Sequence, residues 1–128
     1  MTESFRFDGR LRSVGYALRG CWAMLRTQHN AWVHAVATVI VIITGAFFHV
    51  APGEWCWLIL AIMAVWTAEA LNTALELLAD AASPEFNPLV GQAKDVAAGA
   101  VLISAVGSVA IGALVFGPHL MRVLEQGS

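Results

Sequence analysis

The chain is poor in charge and especially in basic residues. Only 12% of its 128 residues are Asp, Glu, Lys or Arg, against roughly 25% in soluble globular proteins, whereas 59% are hydrophobic. A domain of this length leaves a large share of its surface in water, so the composition argues against a soluble enzyme. Seven Lys and Arg residues and a net charge of -2 argue against a protein that binds nucleic acid through its phosphates.

Three long segments are nearly free of charge. No Asp, Glu, Lys or Arg lies between Arg26 and Glu54, and the first span is expected at 32–50. The second span is expected at 55–78 and the third at 96–117. Each is long enough for a helix to cross roughly 30 Å of hydrocarbon. The sequence therefore predicts three membrane-spanning helices in one membrane domain, with Ala51-Pro52-Gly53 as the turn between the first two.

The basic residues predict the orientation. Five arginines, the last of them Arg26, precede the first span, and the only lysine, Lys94, lies in the predicted loop at 79–95. Because basic loops stay in the cytoplasm, the N-terminus and this loop are expected there, with the tail at 118–128 outside. The two cysteines, at positions 21 and 56, then lie on opposite sides of the membrane, so no disulfide within one chain is expected.

The segment at 5–27 has a different pattern. Its apolar residues, among them Leu18 and Trp22, recur at helical spacing, while Arg19 and Arg26 lie seven residues apart on another stripe. This pattern is typical of an amphipathic helix at the membrane surface, with arginines that reach phosphate headgroups. The helix serves either as an anchor for the bundle or as a lid that holds a lipid headgroup.

Four polar residues share one face of the second span. Glu69, Asn72, Glu76 and Asp80 are separated by three, four and four residues, which places them about one helical turn apart. A carboxylate inside the bilayer costs roughly 2.5–3.5 kcal/mol even on the mildest scale, so such residues indicate a function. The structural alternatives are a hydrogen-bonded seam between helices and, for Asp80, a solvated helix end.

The residues from Glu76 onward suit a magnesium nucleotide. Hard oxygen ligands and one cation lie close together in sequence at Glu76, Asp80, Glu85, Lys94 and Asp95. Magnesium carried by nucleotide phosphates is typically held by one or two carboxylates. Glu69 lies two turns deeper, where a lipid hydroxyl would meet it, and a desolvated carboxylate suits a general base. Phosphoryl transfer requires little beyond positioning and charge neutralisation.

The same residues resemble a known family. The run Glu69-Ala70-Leu71-Asn72-Thr73-Ala74-Leu75-Glu76, then Asp80 and Ala93-Lys94-Asp95-Val96-Ala97-Ala98-Gly99-Ala100-Val101, resembles the signature of the prokaryotic diacylglycerol kinase and undecaprenol kinase family. The likeness extends over nearly the whole chain and includes Asn30 and His34 around the start of the first span and Glu54-Trp55 at the outer turn.

The resemblance implies an all-α integral membrane fold of three spanning helices with a surface helix. It further implies a homotrimer in the bacterial inner membrane, with composite sites between subunits that take ATP and Mg²⁺ from the cytoplasm. Glu69 matches the catalytic base, Asn72 its neighbour at the reacting centre, and Glu76 a magnesium ligand. The positions that match nucleotide contacts are Tyr16, Gln28, Glu76, Asp80, Glu85, Asn87, Lys94 and Asp95. The positions expected to contact lipid are Arg19, Trp22, Trp32 and Glu69.

Two positions depart from the family pattern. Gln28 stands where most members have a second metal-binding glutamate, and an amide oxygen lacks the charge that favours hard cations. Gly9 replaces an arginine near the chain start, for which Arg10 or Arg12 would have to substitute. Weaker metal binding or altered nucleotide handling is the hypothesis that Gln28 raises.

The expected function is phosphate transfer from ATP to a lipid hydroxyl. His34, Thr73 and Ala97-Ala98-Gly99 are closer to the undecaprenol branch, but diacylglycerol stays open, so the product is undecaprenyl phosphate or phosphatidic acid. One alternative is a pseudokinase that binds lipid or a partner. Another is an ion-conducting oligomer, which would also contain intramembrane carboxylates.

Overall fold

The protein folds as four consecutive α-helices. The computed structural model describes residues 7–127, with side chains from residue 9 onward, so the predicted helix start at residue 5 and the last residue of the predicted tail lie outside the described part. The helices are α1 (Phe7–Thr27), α2 (His29–Phe47), α3 (Pro52–Ala82) and α4 (Pro88–Gln126). The last three are long and apolar enough to cross a membrane, which confirms the all-α fold with three candidate spans and a first helix outside them.

Helix α3 runs antiparallel to α4 along most of its length. At one end Lys94 Nζ lies 2.7 Å from Asp80 Oδ1, and at the other His119 Nε2 lies 2.9 Å from Glu54 Oε1. Between them the Ser108 hydroxyl donates to a main-chain carbonyl of α3 at 3.1 Å. Serine is a small residue, and small side chains let membrane helices approach closely.

The turn between α2 and α3 is built on the main chain. The His49 N–H donates to Ala46 O and the Val50 N–H to Gly45 O, both at 3.2 Å, and His49 has φ of 51°. This is the Schellman arrangement that closes many helices. Glu54 Oε2 accepts from the Ala51 N–H at 2.8 Å, which satisfies a free donor before α3.

Three predicted boundaries need correction. Pro52 and Gly53 do not form the turn but lie in the first turn of α3, because proline at a first helical position loses no intrahelical hydrogen bond. The loop predicted at 79–95 is helical except at 83–87. The loop ends at residue 87 rather than at 95 because Asn87 caps the next helix. Asn87 Oδ1 accepts from the N–H groups of Leu89 and Val90 at the start of α4.

The predicted tail is also helical. Helix α4 continues through Pro118 to Gln126, although proline removes one hydrogen bond from the helix. Contacts on the next residue stabilise this end: His119 binds Glu54 and stacks on Phe48, with ring centroids 5.6 Å apart. Tertiary contact therefore outweighs the local preference of proline to end a helix.

The buried apolar core lies at the end of the bundle where α2 and α3 connect. Val50, Leu58 and Val115 form its centre, and partly buried side chains surround them: Val41, Phe48, Trp55, Ile111 and Phe116. Most other large apolar side chains on α2, α3 and α4 are exposed in the single chain. Exposure of such a surface to water is unfavourable, so lipid is the environment that suits it. The two cysteines are free.

We expect Gly45→Ala to lower the free energy of unfolding. A Cβ at position 45 would lie 2.6 Å from Trp55 Cη2, so the ring would have to move, which typically costs about 1–3 kcal/mol. Unfolding by SDS titration in detergent micelles measures the change. The matched control is Gly107→Ala in α4, where a Cβ meets no heavy atom within 4 Å. Equal stability of the two variants would show that the close approach of α2 to Trp55 is unimportant.

Candidate active site

Glu69 is the most deeply buried charged residue of the described chain. Its residue is 1% exposed, and neither carboxylate oxygen has a hydrogen-bond partner. Its helical neighbours Asn72 and Thr73 are also buried. A buried carboxylate without partners is costly, so its presence in the middle of α3 indicates a ligand or a reaction rather than a contribution to stability.

The predicted stripe becomes more exposed toward the α3–α4 loop. Asn72 Nδ2 donates to Glu76 Oε1 at 3.3 Å, while Asn72 Oδ1 has no partner. Glu76 is half-buried and Asp80 exposed. The spacing of four residues brings Asn72 and Glu76 into contact as predicted. The stripe therefore runs from the buried carboxylate of Glu69 to the exposed carboxylate of Asp80.

A polar cavity of about 300 Å³ lies beside this stripe. It is lined from three helices: Asn30, Val33 and His34 of α2, Asn72 and Glu76 of α3, and Ala98, Val101, Leu102 and Ala105 of α4. An apolar groove of about 650 Å³ lies along α3 and α4, and Asn72 lines this groove too. The Asn72 side chain thus borders both a polar and an apolar space, which suits a site where a polar and an apolar substrate meet.

Lys94 and Asp80 join the two helices at the mouth of the site. Their 2.7 Å contact spans the short loop, and the side chains are 36% and 70% exposed. Asp95 and Glu85 are exposed nearby in the chain, and Asn87 is used as the α4 cap. The fold therefore brings together Asp80 and Lys94 among the predicted nucleotide-contacting residues, and it gives Asn87 a structural role in addition.

The α1 residues lie apart from this cluster. Tyr16, Trp22 and Arg19 are exposed on α1, with the Arg19 guanidinium 5.8 Å from the centre of the Tyr16 ring. Trp32 is exposed on α2, and the half-buried Gln28 is the one residue between α1 and α2. None of these lines the polar cavity beside Glu76. Their roles toward nucleotide, metal and lipid stay predictions.

The structure adds a residue whose role the spacing along α3 could not reveal. His34 Nε2 lies 3.4 Å from Glu69 Oε2, between α2 and α3. Because the two residues are far apart in sequence, no helical period relates them. The only sequence signal for a role of His34 was its position in the family-like motif around the start of the first span. Glu54 and His119 form a similar long-range pair at the other end of the bundle.

The donors at the site fit magnesium that arrives with a nucleotide. Among the side chains of residues 9–127, no group of three His, Cys, Asp or Glu lies close enough to hold a metal ion. Glu76 and the unpartnered Asn72 Oδ1 are hard oxygen donors at the polar cavity. One or two protein ligands are enough when phosphate oxygens complete the octahedron.

Comparison with known proteins finds relatives that are named as lipid kinases. The family model of prokaryotic diacylglycerol kinase matches residues 15–116. The chain is 40% identical to the undecaprenol kinase of Bacillus subtilis over 109 residues, which cover 85% of this chain and 89% of the relative. It is 34% identical to the diacylglycerol kinase of Synechocystis over 115 residues, 89% of this chain and 66% of the relative. It is 27% identical to the diacylglycerol kinase of Escherichia coli over 113 residues, 88% and 93% of the two chains.

The Asp80–Lys94 pair is expected to contribute little to stability. Exposed ion pairs are typically worth about 1 kcal/mol or less, because water and salt screen them. Asp80→Asn and Lys94→Met should each lower the free energy of unfolding by less than about 1 kcal/mol, as measured by SDS titration. A loss well above that value in either variant would assign the pair to the fold rather than to ligand binding.

Proposed function

The chain belongs to the prokaryotic diacylglycerol kinase family and is a lipid kinase, and we propose that it transfers the terminal phosphate of ATP to the hydroxyl of undecaprenol or diacylglycerol. The products are undecaprenyl phosphate or phosphatidic acid. The observation that carries the proposal is the burial of Glu69. Both of its carboxylate oxygens lack a hydrogen-bond partner, and it lies on the same helix face as Glu76. The 40% identity to an undecaprenol kinase makes undecaprenol the first acceptor to test.

Glu69 acts as the general base. One of its oxygens accepts the proton of the lipid hydroxyl while the hydroxyl oxygen forms a bond to the terminal phosphorus of ATP. The bond from that phosphorus to the bridging oxygen breaks, and ADP leaves. A positioned base typically contributes about 10²- to 10⁴-fold to such a step.

The residues at the mouth of the site bind and orient the nucleotide. Lys94 neutralises phosphate charge, and Asp80 holds the ammonium group in place through their 2.7 Å contact. Glu76, with Gln28 as a weaker second ligand, would hold the magnesium that accompanies ATP, which neutralises charge on the phosphate oxygens. Tyr16, Glu85, Asn87 and Asp95 complete the proposed nucleotide contacts.

The lipid reaches Glu69 from within the membrane. We place α1 at the cytoplasmic surface of the bacterial inner membrane, where Arg19, Trp22 and Trp32 contact the lipid substrate. We propose that three copies form a homotrimer, as the family resemblance implies, in which a second subunit covers part of the groove beside Asn72. Composite sites between subunits follow from that arrangement.

Ion conduction is less compatible with the structure. A conducting path would require polar lining through the whole bundle. The core around Val50, Leu58 and Val115 instead closes the end opposite the polar cavity with apolar side chains. A pseudokinase remains the nearest alternative, because Gln28 replaces a charged ligand.

We expect Glu69→Gln to lower phosphate transfer by at least about 100-fold, because the amide does not accept the hydroxyl proton. The assay follows labelled terminal phosphate from ATP into lipid, in mixed micelles that contain undecaprenol or diacylglycerol. Glu54→Gln is the matched control, since it makes the same chemical change in the first turn of α3, away from the polar cavity. A fully active Glu69→Gln variant would remove Glu69 from the role of base. Folded, oligomeric wild-type protein that labels neither lipid would favour the pseudokinase.

Gln28→Glu is expected to lower the magnesium concentration required for half-maximal activity. A carboxylate binds a hard cation more strongly than an amide oxygen does. Titration of magnesium at fixed ATP, in wild-type protein and in the variant, measures the change. Identical magnesium requirements would show that position 28 is not a metal ligand in this chain.

A further inference from the structure

The contact between His34 and Glu69 assigns a role to a histidine outside the four-residue stripe on α3. We propose that His34 is the positioning residue for Glu69: its Nε2–H donates to Glu69 Oε2 and so directs the other oxygen, Oε1, at the lipid hydroxyl. The inference rests on the proposed function of Glu69 as the base. His34 acts through Glu69 and does not itself take the proton from the substrate.

The first support is the complementary need of the two groups. His34 Nε2 and both oxygens of Glu69 are buried and have no hydrogen-bond partner, and the two side chains are 13% and 1% exposed. Buried polar groups that lack a partner destabilise the fold, so a hydrogen bond between His34 Nε2 and Glu69 Oε2 would satisfy one donor and one acceptor. At 3.4 Å the two atoms make a long contact in which the Nε2–H is not aligned well enough with the oxygen for a hydrogen bond. Catalytic hydrogen bonds are often long without substrate and shorten when substrate binds.

The second support is the way the fold holds the histidine. The Trp66 ring meets the His34 ring nearly edge to face, with centroids 6.4 Å apart. Trp66 Nε1 donates to Thr38 Oγ1 at 3.0 Å, and the Thr38 hydroxyl donates to the His34 carbonyl at 2.7 Å. A tryptophan of α3 therefore fixes both the ring of His34 and its turn of α2. A residue that only filled space would not require this support.

The third support is the location of His34 between two cavities. It lines the polar cavity with Asn72 and Glu76, and it also lines an apolar cavity of about 340 Å³ between α2, α3 and α4. Leu58 and Val65 are among the apolar side chains of the second cavity. A lipid whose hydrocarbon enters the apolar cavity would present its hydroxyl at the boundary, where His34 and Glu69 meet.

The test compares two variants of nearly equal size. Gln keeps an N–H donor at position 34, whereas Leu keeps only the volume. We expect His34→Leu to lower kcat about 10- to 100-fold, with KM for ATP changed less than about two-fold, because the base is misplaced but the nucleotide site is intact. His34→Gln should restore most of kcat. A purely structural role predicts the reverse, with Leu at least as active as Gln.

A second measurement does not depend on activity. The infrared carboxylate band of Glu69, identified as the difference between wild-type protein and Glu69→Gln, should shift in His34→Leu and return in His34→Gln. If His34→Leu does not fold to the wild-type oligomer, His34→Met provides the second apolar variant.

The outcomes separate the two proposals. In the first outcome, the wild-type protein transfers no phosphate, but the Glu69 band depends on the donor at position 34. This result overturns the proposed function and supports the contact between His34 and Glu69. An active wild-type protein whose Leu and Gln variants have equal kcat and an unshifted band overturns the role of His34.

Discussion

The chemistry of the site depends on the burial of one carboxylate in an apolar bundle. Glu69 lies in the middle of α3, and the residue is 1% exposed although most of the surrounding surface is apolar. Membrane helices gain little from packing polar groups unless those groups find partners, so the neighbours of Glu69 must be supplied by the fold. His34 from α2, and Asn72 and Thr73 from the next turn of α3, are the polar side chains placed there. The antiparallel packing of α2 against α3 thus determines the chemistry of the site.

The two ends of the bundle have opposite characters. At one end, Val50, Leu58 and Val115 pack tightly, and the His119–Glu54 contact ties α4 to the start of α3. At the other end the helices border a polar cavity, and the exposed Lys94–Asp80 pair lies at its mouth. A closed apolar end and an open polar end suit an enzyme that receives a polar substrate from one side only. This asymmetry favours a kinase over an ion-conducting protein, which would require polar residues along the whole path.

Much of the fold was predictable because membrane helices are encoded by length and by the absence of charge. The gap from Arg26 to Glu54 indicated the first span, and the three- and four-residue spacing indicated the stripe from Glu69 to Asp80. The boundaries were less predictable. Pro52 starts a helix where a break was expected, and Pro118 is accommodated inside one, because the same residue favours a helix start and disfavours a helix interior. Only the contacts of His119 decide the second case.

The polar stripe from Glu69 to Asp80 was readable from the chain itself, since it is a pattern along one helix and helical geometry is local. Family membership was readable from motifs that extend over most of the chain. The partner of Glu69 was not, because His34 approaches it from another helix, and spacing within a helix carries no information about which face of a neighbour it meets. The same holds for the cap role of Asn87 and the close approach of Gly45 to Trp55. Local sequence therefore specified which residues point in one direction, and the packing of α2, α3 and α4 decided which of them meet.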